Sequence, residues 1–514
     1  MDLGKVARPL AGFILFFSLS MLLPLAVSFS EDSDYATTQA FATGIATALV
    51  VALLLWVGGR KSTSDLYRRE GLTVVGLAWV FAGALAAIPF ERSGAIPSGV
   101  DAFFESISGL TTTGATVLGT TNTDIESLPP SVLLWRSMLQ WMGGMGIILV
   151  FIVLLPAMGV TGSRLLSSEQ VGVSDETRRP RMIERARALF FVYALLTTFG
   201  GIAYWMVGLQ PFDAVCHAFT TLASGGFSTN NFSIGGFQNA GVELVAIVFM
   251  FLAGCNFLLL AYVLRHGGKT TGALHSSEFK LYLGLTLVII LGMTLSLWTW
   301  GQPVTEEELG VTKDYSSFFT CVRYASFQTV SILTSTGYAT ANYVEWPKPA
   351  LYLLVLCMFI GGCTGSTAGG FKVLRILVCA KLVGNALRHF VRPRTVETFR
   401  VGGEAIPDRV VIGILALLLL WLATVAAGTL VLSLDPDLDI VSAFTASLAM
   451  MGCIGPAFGD AVHTAAGSGI DVGPYGGYGE LQTGAKLFMS LQMILGRLEI
   501  LAPFALLTPG FWRR

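Results

Sequence analysis

Long runs of apolar residues, separated by short polar connectors, set the rhythm of this chain. A helix needs about 20 apolar residues to cross a bilayer core of roughly 30 Å. Ten stretches qualify, at roughly 9–29, 36–58, 71–90, 131–160, 184–207, 241–264, 279–300, 349–383, 408–433 and 483–507. None has the period-two alternation of a transmembrane β-barrel strand, so the pattern predicts an all-α membrane protein. The first stretch carries the basic flank of a secretory signal, Lys5 and Arg8, and Ala26-Val27-Ser28 faintly resembles a cleavage site. Its apolar run is long for a signal and a second follows at once, so a retained membrane helix is expected.

A second rhythm overlies the first. The third, fifth, seventh and ninth long stretches are each followed by a shorter apolar segment, a Gly/Thr/Ser cluster and another long stretch. The clusters read Thr111-Thr112-Thr113-Gly114-Ala115-Thr116, Ala223-Ser224-Gly225-Gly226-Phe227-Ser228, Thr334-Ser335-Thr336-Gly337-Tyr338-Ala339 and Cys453-Ile454-Gly455-Pro456-Ala457. Aligned on Gly114, Gly225, Gly337 and Gly455, they stand 111, 112 and 118 residues apart. The short segments, among them Asp101 to Glu105, Asp213 to His217 and Ile440 to Phe444, are too brief to cross and fit re-entrant half-helices. Non-helical backbone at membrane depth is tolerated only where protein or a water-filled path surrounds it. Four such loops can surround an axis with carbonyls that replace an ion's hydration shell. Glycine reaches φ > 0 freely and lets neighbouring carbonyls point the same way, while the half-helices aim their negative ends at the axis. One such loop alone fits helix packing by small residues; four in register predict cation permeation.

Composition and charge narrow this further. Of 514 residues, 53% are hydrophobic and 13% charged, with a formal net charge of −1, against about 25% charged in a soluble domain. A soluble enzyme, a disordered scaffold and a nucleic-acid binder with a basic surface are excluded. Of the 32 Lys and Arg, 25 fall in clusters at Lys5/Arg8, Arg60 to Arg69, Arg164 to Arg187, Arg265 to Lys280, Lys372 to Arg409 and Arg513/Arg514. Acidic residues fill the alternate loops, at Glu31/Asp32/Asp34, Asp124/Glu126, Glu306/Glu307/Glu308 and Asp435/Asp437/Asp439. Positive loops face the cytoplasm, so both termini are expected there, which agrees with ten crossings. The seven cysteines form no CxxC pair and the five histidines lack ligand spacing. His217 reads as a buried hydrogen-bonding residue.

The eighth stretch is interrupted by Gly361-Gly362-Cys363-Thr364-Gly365-Ser366-Thr367-Ala368-Gly369-Gly370. Each interior glycine costs about 1 kcal/mol relative to alanine, so a broken helix is expected. Following a pore loop, it fits a flexible plug beneath the filter; a packing seam of small residues is the alternative. The glycine spacing is not a P-loop, because Phe371-Lys372 follows where Lys-Ser/Thr is required. Arg497 lies in the last stretch, where a charge must be paired or hydrated; its partners are expected to be Glu499 or Glu105 unless it faces a pore. Arg136, Arg323 and Lys486 sit near membrane boundaries and fit snorkelling or local pairing. The basic stretch from Lys381 to Arg409 suits either a regulatory subunit or anionic lipid.

With these motifs together, the chain resembles the Trk/Ktr/HKT superfamily of potassium transporters, most closely its bacterial Trk-type translocating subunit. The resemblance rests on 109–116, 224–228, 335–338, 454–456, 361–370 and Leu495-Gly496-Arg497-Leu498-Glu499-Ile500. It implies two additional N-terminal helices (1–60) and four pseudo-fourfold helix–pore loop–helix repeats (71–163, 184–268, 279–390 and 405–514) around a central pore. It implies potassium held mainly by backbone carbonyls of Thr112, Thr113, Gly114, Ser224, Gly225, Thr336, Gly337, Ile454 and Gly455. The loop Gly365, Ser366, Thr367, Ala368, Gly369 and Gly370 becomes an intramembrane gate, and Arg497 a positive barrier below the filter. A homodimer in the bacterial inner membrane and a cytosolic nucleotide-binding regulatory subunit follow as expected partners, with no organic cofactor. Plant relatives that favour sodium carry Ser at the first filter glycine, and this chain keeps Gly114. Ala223 and Cys453-Ile454 depart from the usual Ser and Asn-Val at the filter edges. Two other readings stand beside this one. A potassium symporter coupled to protons or sodium has few intramembrane acids to use, chiefly Glu105 and Glu499. A membrane-embedded hydrolase with Ser366 as nucleophile lacks a base, its nearest candidate being His463 in an outer loop.

Overall fold

In an apolar surround, only helices keep every backbone N–H and C=O bonded within one segment. The computed structural model describes residues 3–30, 35–60, 68–119, 123–158, 175–266, 276–306, 310–393, 399–402, 404–459, 470–500, 503–504, 506 and 508–509. Among these, strand is confined to two short hairpins, β1 (Val304–Glu306) with β2 (Val311–Lys313) and β3 (Arg400–Val401) with β4 (Glu404–Ala405). His463, Lys61, Arg164, Lys269, Glu307, Glu308, Arg513, Arg514 and the acidic run at 31–34 lie outside the described residues.

The chain opens with α1 (Leu3–Ser20), α2 (Leu22–Ser28) and α3 (Ala36–Gly58). These pack on α4 (Arg68–Arg92) and α6 (Pro130–Met158). Gly44 of α3 lets Pro89 and Met21 come to 3.2 and 3.3 Å of where a Cβ would stand. Phe17 and Phe41 meet Trp135 at ring centroids of 5.8 and 6.2 Å. The indole N–H of Trp135 donates to the Ala86 carbonyl at 3.2 Å. Outward faces carry large exposed apolar side chains such as Leu54, Val288, Leu419 and Leu430, as lipid-facing helices require.

Four segments then follow one plan. A long helix leads to a short helix, a loop and a second helix. The long helices are α4, α7 (Asp175–Met206), α11 (Ser277–Trp300) and α15 (Asp408–Leu432). The short ones are α5 (Gly99–Leu110), α8 (Pro211–Leu222), α12 (Phe318–Leu333) and α16 (Ile440–Gly452). The chain returns through α6, α9 (Ala240–Ala253), α13 (Lys348–Ile360) and α17 (Thr483–Arg497).

The ten apolar stretches do not all become straight crossings. Six helices among the described residues are long and apolar enough by themselves, while Ala240–Ala253 and Phe257–Leu264 reach that length only together, bent by 100° at the break between them. The sequence pattern predicts no break there. It falls at Gly254-Cys255-Asn256, where the Asn256 side chain accepts from Leu258 N–H at 2.9 Å and starts α10 (Phe257–His266). The eighth stretch breaks where expected, resuming as α14 (Val373–Val391). The tenth is interrupted after α17, where Glu499 and Ile500 take φ values of +63° and +52°, and helical turns resume beyond, with Phe504 N–H donating to the Ile500 carbonyl at 3.0 Å.

Candidate functional site

Each short helix ends in the same way. Thr112, Ser224, Ser335 and Cys453 take left-handed φ values of +52°, +55°, +53° and +51°. The next residue then bonds back five positions, with Thr113, Gly225, Thr336 and Ile454 donating N–H to the carbonyls of Ser108, Thr220, Ser331 and Ala449 at 2.8–2.9 Å. This closes the helix by a six-to-one bond and turns the chain outward. The residue after it has positive φ once more: Gly114 at +79°, Gly226 at +82°, Gly337 at +81° and Gly455 at +98°. In the second loop the residue in register is therefore Gly226, not Gly225, which corrects the alignment read from sequence. Gly225 is glycine for another reason, since a Cβ there would run into the side chain of Gln140.

The four loops meet as a closed ring. A Cβ on Gly114 would overlap the carbonyl oxygen of Gly225; one on Gly226, that of Thr336; one on Gly337, that of Ile454. A Cβ on Gly455 would stand 2.7 Å from the carbonyl oxygen of Thr113, completing the circuit. Outside the ring lies an open depression of about 530 Å³, lined by Gly114, Gly226, Gly337, Gly455, Pro456 and Tyr475 among others.

Buried polar side chains hold the outer strands. Glu105, His217 and Gln328 each stand nine residues before the positive-φ glycine of their loop. Glu105 accepts from the Thr116 hydroxyl at 2.9 Å and from Val117 N–H at 3.0 Å. A ring nitrogen of His217 pairs with the Ser228 hydroxyl at 3.0 Å, and Gln328 donates to the Tyr338 carbonyl at 3.3 Å. The fourth loop uses Thr445, which accepts from Phe458 N–H at 3.1 Å. Arg136 neutralises Glu105 at 2.9 Å, donates to the Ser228 carbonyl at 3.1 Å and covers the Phe227 ring at 4.2 Å. Both charges are almost wholly buried, so they stand only as a pair. Arg323 likewise pairs with Glu243 at 2.6 Å and Lys486 with Asp101 at 2.5 Å.

Beneath the ring runs the segment 361–370. Gly361, Gly365 and Gly370 have φ near +76°, at +77°, +75° and +76°, so no uninterrupted helix forms. The Thr367 hydroxyl pairs with that of Ser224 at 2.9 Å and donates to the Leu222 carbonyl at 3.0 Å. Gly369 N–H donates to the Ser335 hydroxyl at 2.5 Å, and Gly370 N–H to the Gly452 carbonyl at 3.0 Å. The loop is thus stitched to the ends of three of the four short helices. On its other side Thr364 N–H donates to Glu278 at 2.6 Å, and Gly365 accepts from Phe257 N–H at 3.1 Å. Ser366 donates to the Cys363 carbonyl at 2.6 Å.

Arg497, 3% exposed, donates to the Thr367 carbonyl at 2.7 Å and to the Gly143 carbonyl at 3.4 Å, and its Nε has no partner among the described residues. It pairs with neither expected acid, because Glu499 is taken by Arg375 and Glu105 by Arg136. Below the loop a small, partly open pocket is lined by Gly369, Lys372, Arg375, Trp421, Arg497 and Glu499, among others.

The family model for cation transport proteins of the TrkH type matches residues 37–508. The chain belongs to this Trk-type cation transport family. It is 34% identical to the Trk system potassium uptake protein TrkH of Salmonella typhimurium, over 100% of both chains. It is 32% identical to TrkG of Escherichia coli, over 99% of each. The crystal structure of the potassium transporter TrkH from Vibrio parahaemolyticus superposes with a TM-score of 0.86, at 33% identity and full coverage of both chains. These relatives are transport proteins, and the chain is a multi-pass membrane transporter rather than an enzyme.

Proposed function

We propose that the chain takes up potassium across a bacterial inner membrane, through the ring of four glycine loops, under control of the 361–370 loop. The observation that carries this is the ring itself: four identical backbone turns, each glycine tight against the next loop's carbonyl. Such a ring offers carbonyl oxygens in place of water and no fixed charge. Its candidate ligands are the carbonyls of Thr112, Thr113, Gly114, Ser224, Gly225, Thr336, Gly337, Ile454 and Gly455, with Gly226 added by register. The buried Thr112 hydroxyl, which has no partner among the described residues, is a further oxygen at the inner edge. Potassium is favoured by Gly114, and by relatives whose names specify potassium uptake.

Gly365 to Gly370 serve as the gate and Arg497 as brace and barrier. The units 71–163, 184–268, 279–390 and 405–514 act as the four pore repeats, with 1–60 packed outside them. Both termini face the cytoplasm, and the basic Lys381–Arg409 stretch contacts anionic lipid or a cytosolic nucleotide-binding subunit. The active form is a homodimer. Coupling to protons or sodium has little support, since Glu105 and Glu499 are each engaged by an arginine.

The direct test is Gly114→Ser. Its Cβ would overlap the Gly225 carbonyl, so that carbonyl must turn away from its place, the set of oxygens sized for potassium is broken, and sodium should compete more strongly with rubidium for uptake. An unchanged competition profile in folded protein removes the filter assignment.

A further inference from the structure

The ring is fourfold in its turns but not in its hydrogen bonds. Tyr478, 23 residues beyond Gly455 and almost fully buried, donates its hydroxyl to the Gly455 carbonyl at 2.8 Å. Its ring packs against Phe104 at 5.9 Å, and its N–H donates to the Thr116 carbonyl at 2.8 Å, so it also ties the fourth loop's outer segment to the first loop. One level further in, Gln140 of α6 donates to the Gly225 carbonyl at 2.8 Å and accepts from Phe227 N–H at 3.1 Å, clamping the strand across Gly226. Gln140 is fully buried. Among the described residues no side chain donates to the carbonyls of Gly114, Gly226 or Gly337, the counterparts of Gly455, nor to those of Thr113, Thr336 or Ile454, the counterparts of Gly225.

We propose that Tyr478 and Gln140 are specificity-determining positioning residues, each holding one carbonyl of the ring in place at one of two adjacent levels. The proposal rests on reading the ring as the potassium filter. A hydrogen bond to a carbonyl fixes the orientation of its peptide plane and draws on one of its two lone pairs. The tethered oxygen then cannot swing inward, and three freer carbonyls complete the coordination. A smaller cation needs all four oxygens to close around it; a larger one does not. Two rigid points in an otherwise adjustable ring therefore favour the larger ion, and they come from outside the repeated loops.

Tyr478→Phe removes the hydroxyl and keeps the ring that packs on Phe104. Purified Tyr478→Phe and Gln140→Leu proteins, each checked for folding by thermal melting, are reconstituted and assayed for rubidium uptake with sodium or potassium as competitor. The sodium-to-potassium competition ratio should shift toward sodium by about fivefold in Tyr478→Phe, the factor one net hydrogen bond sets, with little change in melting. A role limited to packing would leave the ratio alone in both variants, whatever the melting temperature does. If Gly114→Ser changes the ratio and neither tether variant does, the filter stands and the tether proposal falls. If none of the three changes it, both fall.

Discussion

Replacing Arg497 by Gln tests how the loop beneath the ring is held. The guanidinium donates to the Thr367 carbonyl at 2.7 Å and reaches the Gly143 carbonyl of α6 at 3.4 Å. Gln is too short to keep both. A hydrogen bond from a charged donor contributes about 1.5–3 kcal/mol, and Thr367 retains its bonds to Ser224 and Leu222 in the variant. Losing the brace therefore shifts the balance between seated and displaced loop by about 10- to 150-fold. Removing the positive charge also raises cation occupancy below the ring, so both effects point the same way. The assay is the initial rate of rubidium uptake into proteoliposomes without any regulatory subunit. Arg497→Gln should raise it at least tenfold over wild type by this estimate. Arg497→Lys keeps the charge and loses the planar fork, so it should give an intermediate rate. A rate for Arg497→Gln at or below wild type, from protein matched in reconstitution and melting, refutes the brace.

Deleting 365–369 takes away the stitches to Ser224 and Ser335 together, and basal uptake should rise; wild-type or lower uptake by folded protein would sink the gate. Glu105→Ala leaves Arg136 buried without its partner, which costs about 3–5 kcal/mol. Its melting temperature in detergent should drop, and an unchanged value would show that Arg136 finds another acceptor.

Much of this arrangement is legible in the sequence. Apolar length gives the long helices, and the four Gly/Thr/Ser clusters mark the ring because their spacing repeats. The glycines at 361–370 foretell a break for the same reason that they cannot hold a helix. What escapes is set by contacts between distant residues. The second loop offers two adjacent glycines, and only backbone geometry tells that Gly226 carries the positive φ while Gly225 makes room for Gln140. The break after Ala253 hides in an apolar run whose Gly254 and Asn256 are its one signal. Arg497 has two acids within reach on paper, yet each already belongs to another arginine. Glu105, His217 and Gln328 share one register position with three chemistries, so no motif search aligned on residue type unites them.

The central claim is that this ring conducts potassium and discriminates against sodium. Radiolabelled rubidium uptake into proteoliposomes of the purified chain, with potassium or sodium as competitor, tests it most directly. The account predicts strong competition by potassium and weak competition by sodium, with the 365–369 deletion raising the rate while keeping that order. Equal competition by sodium, or no uptake even from the folded deletion variant, would contradict it.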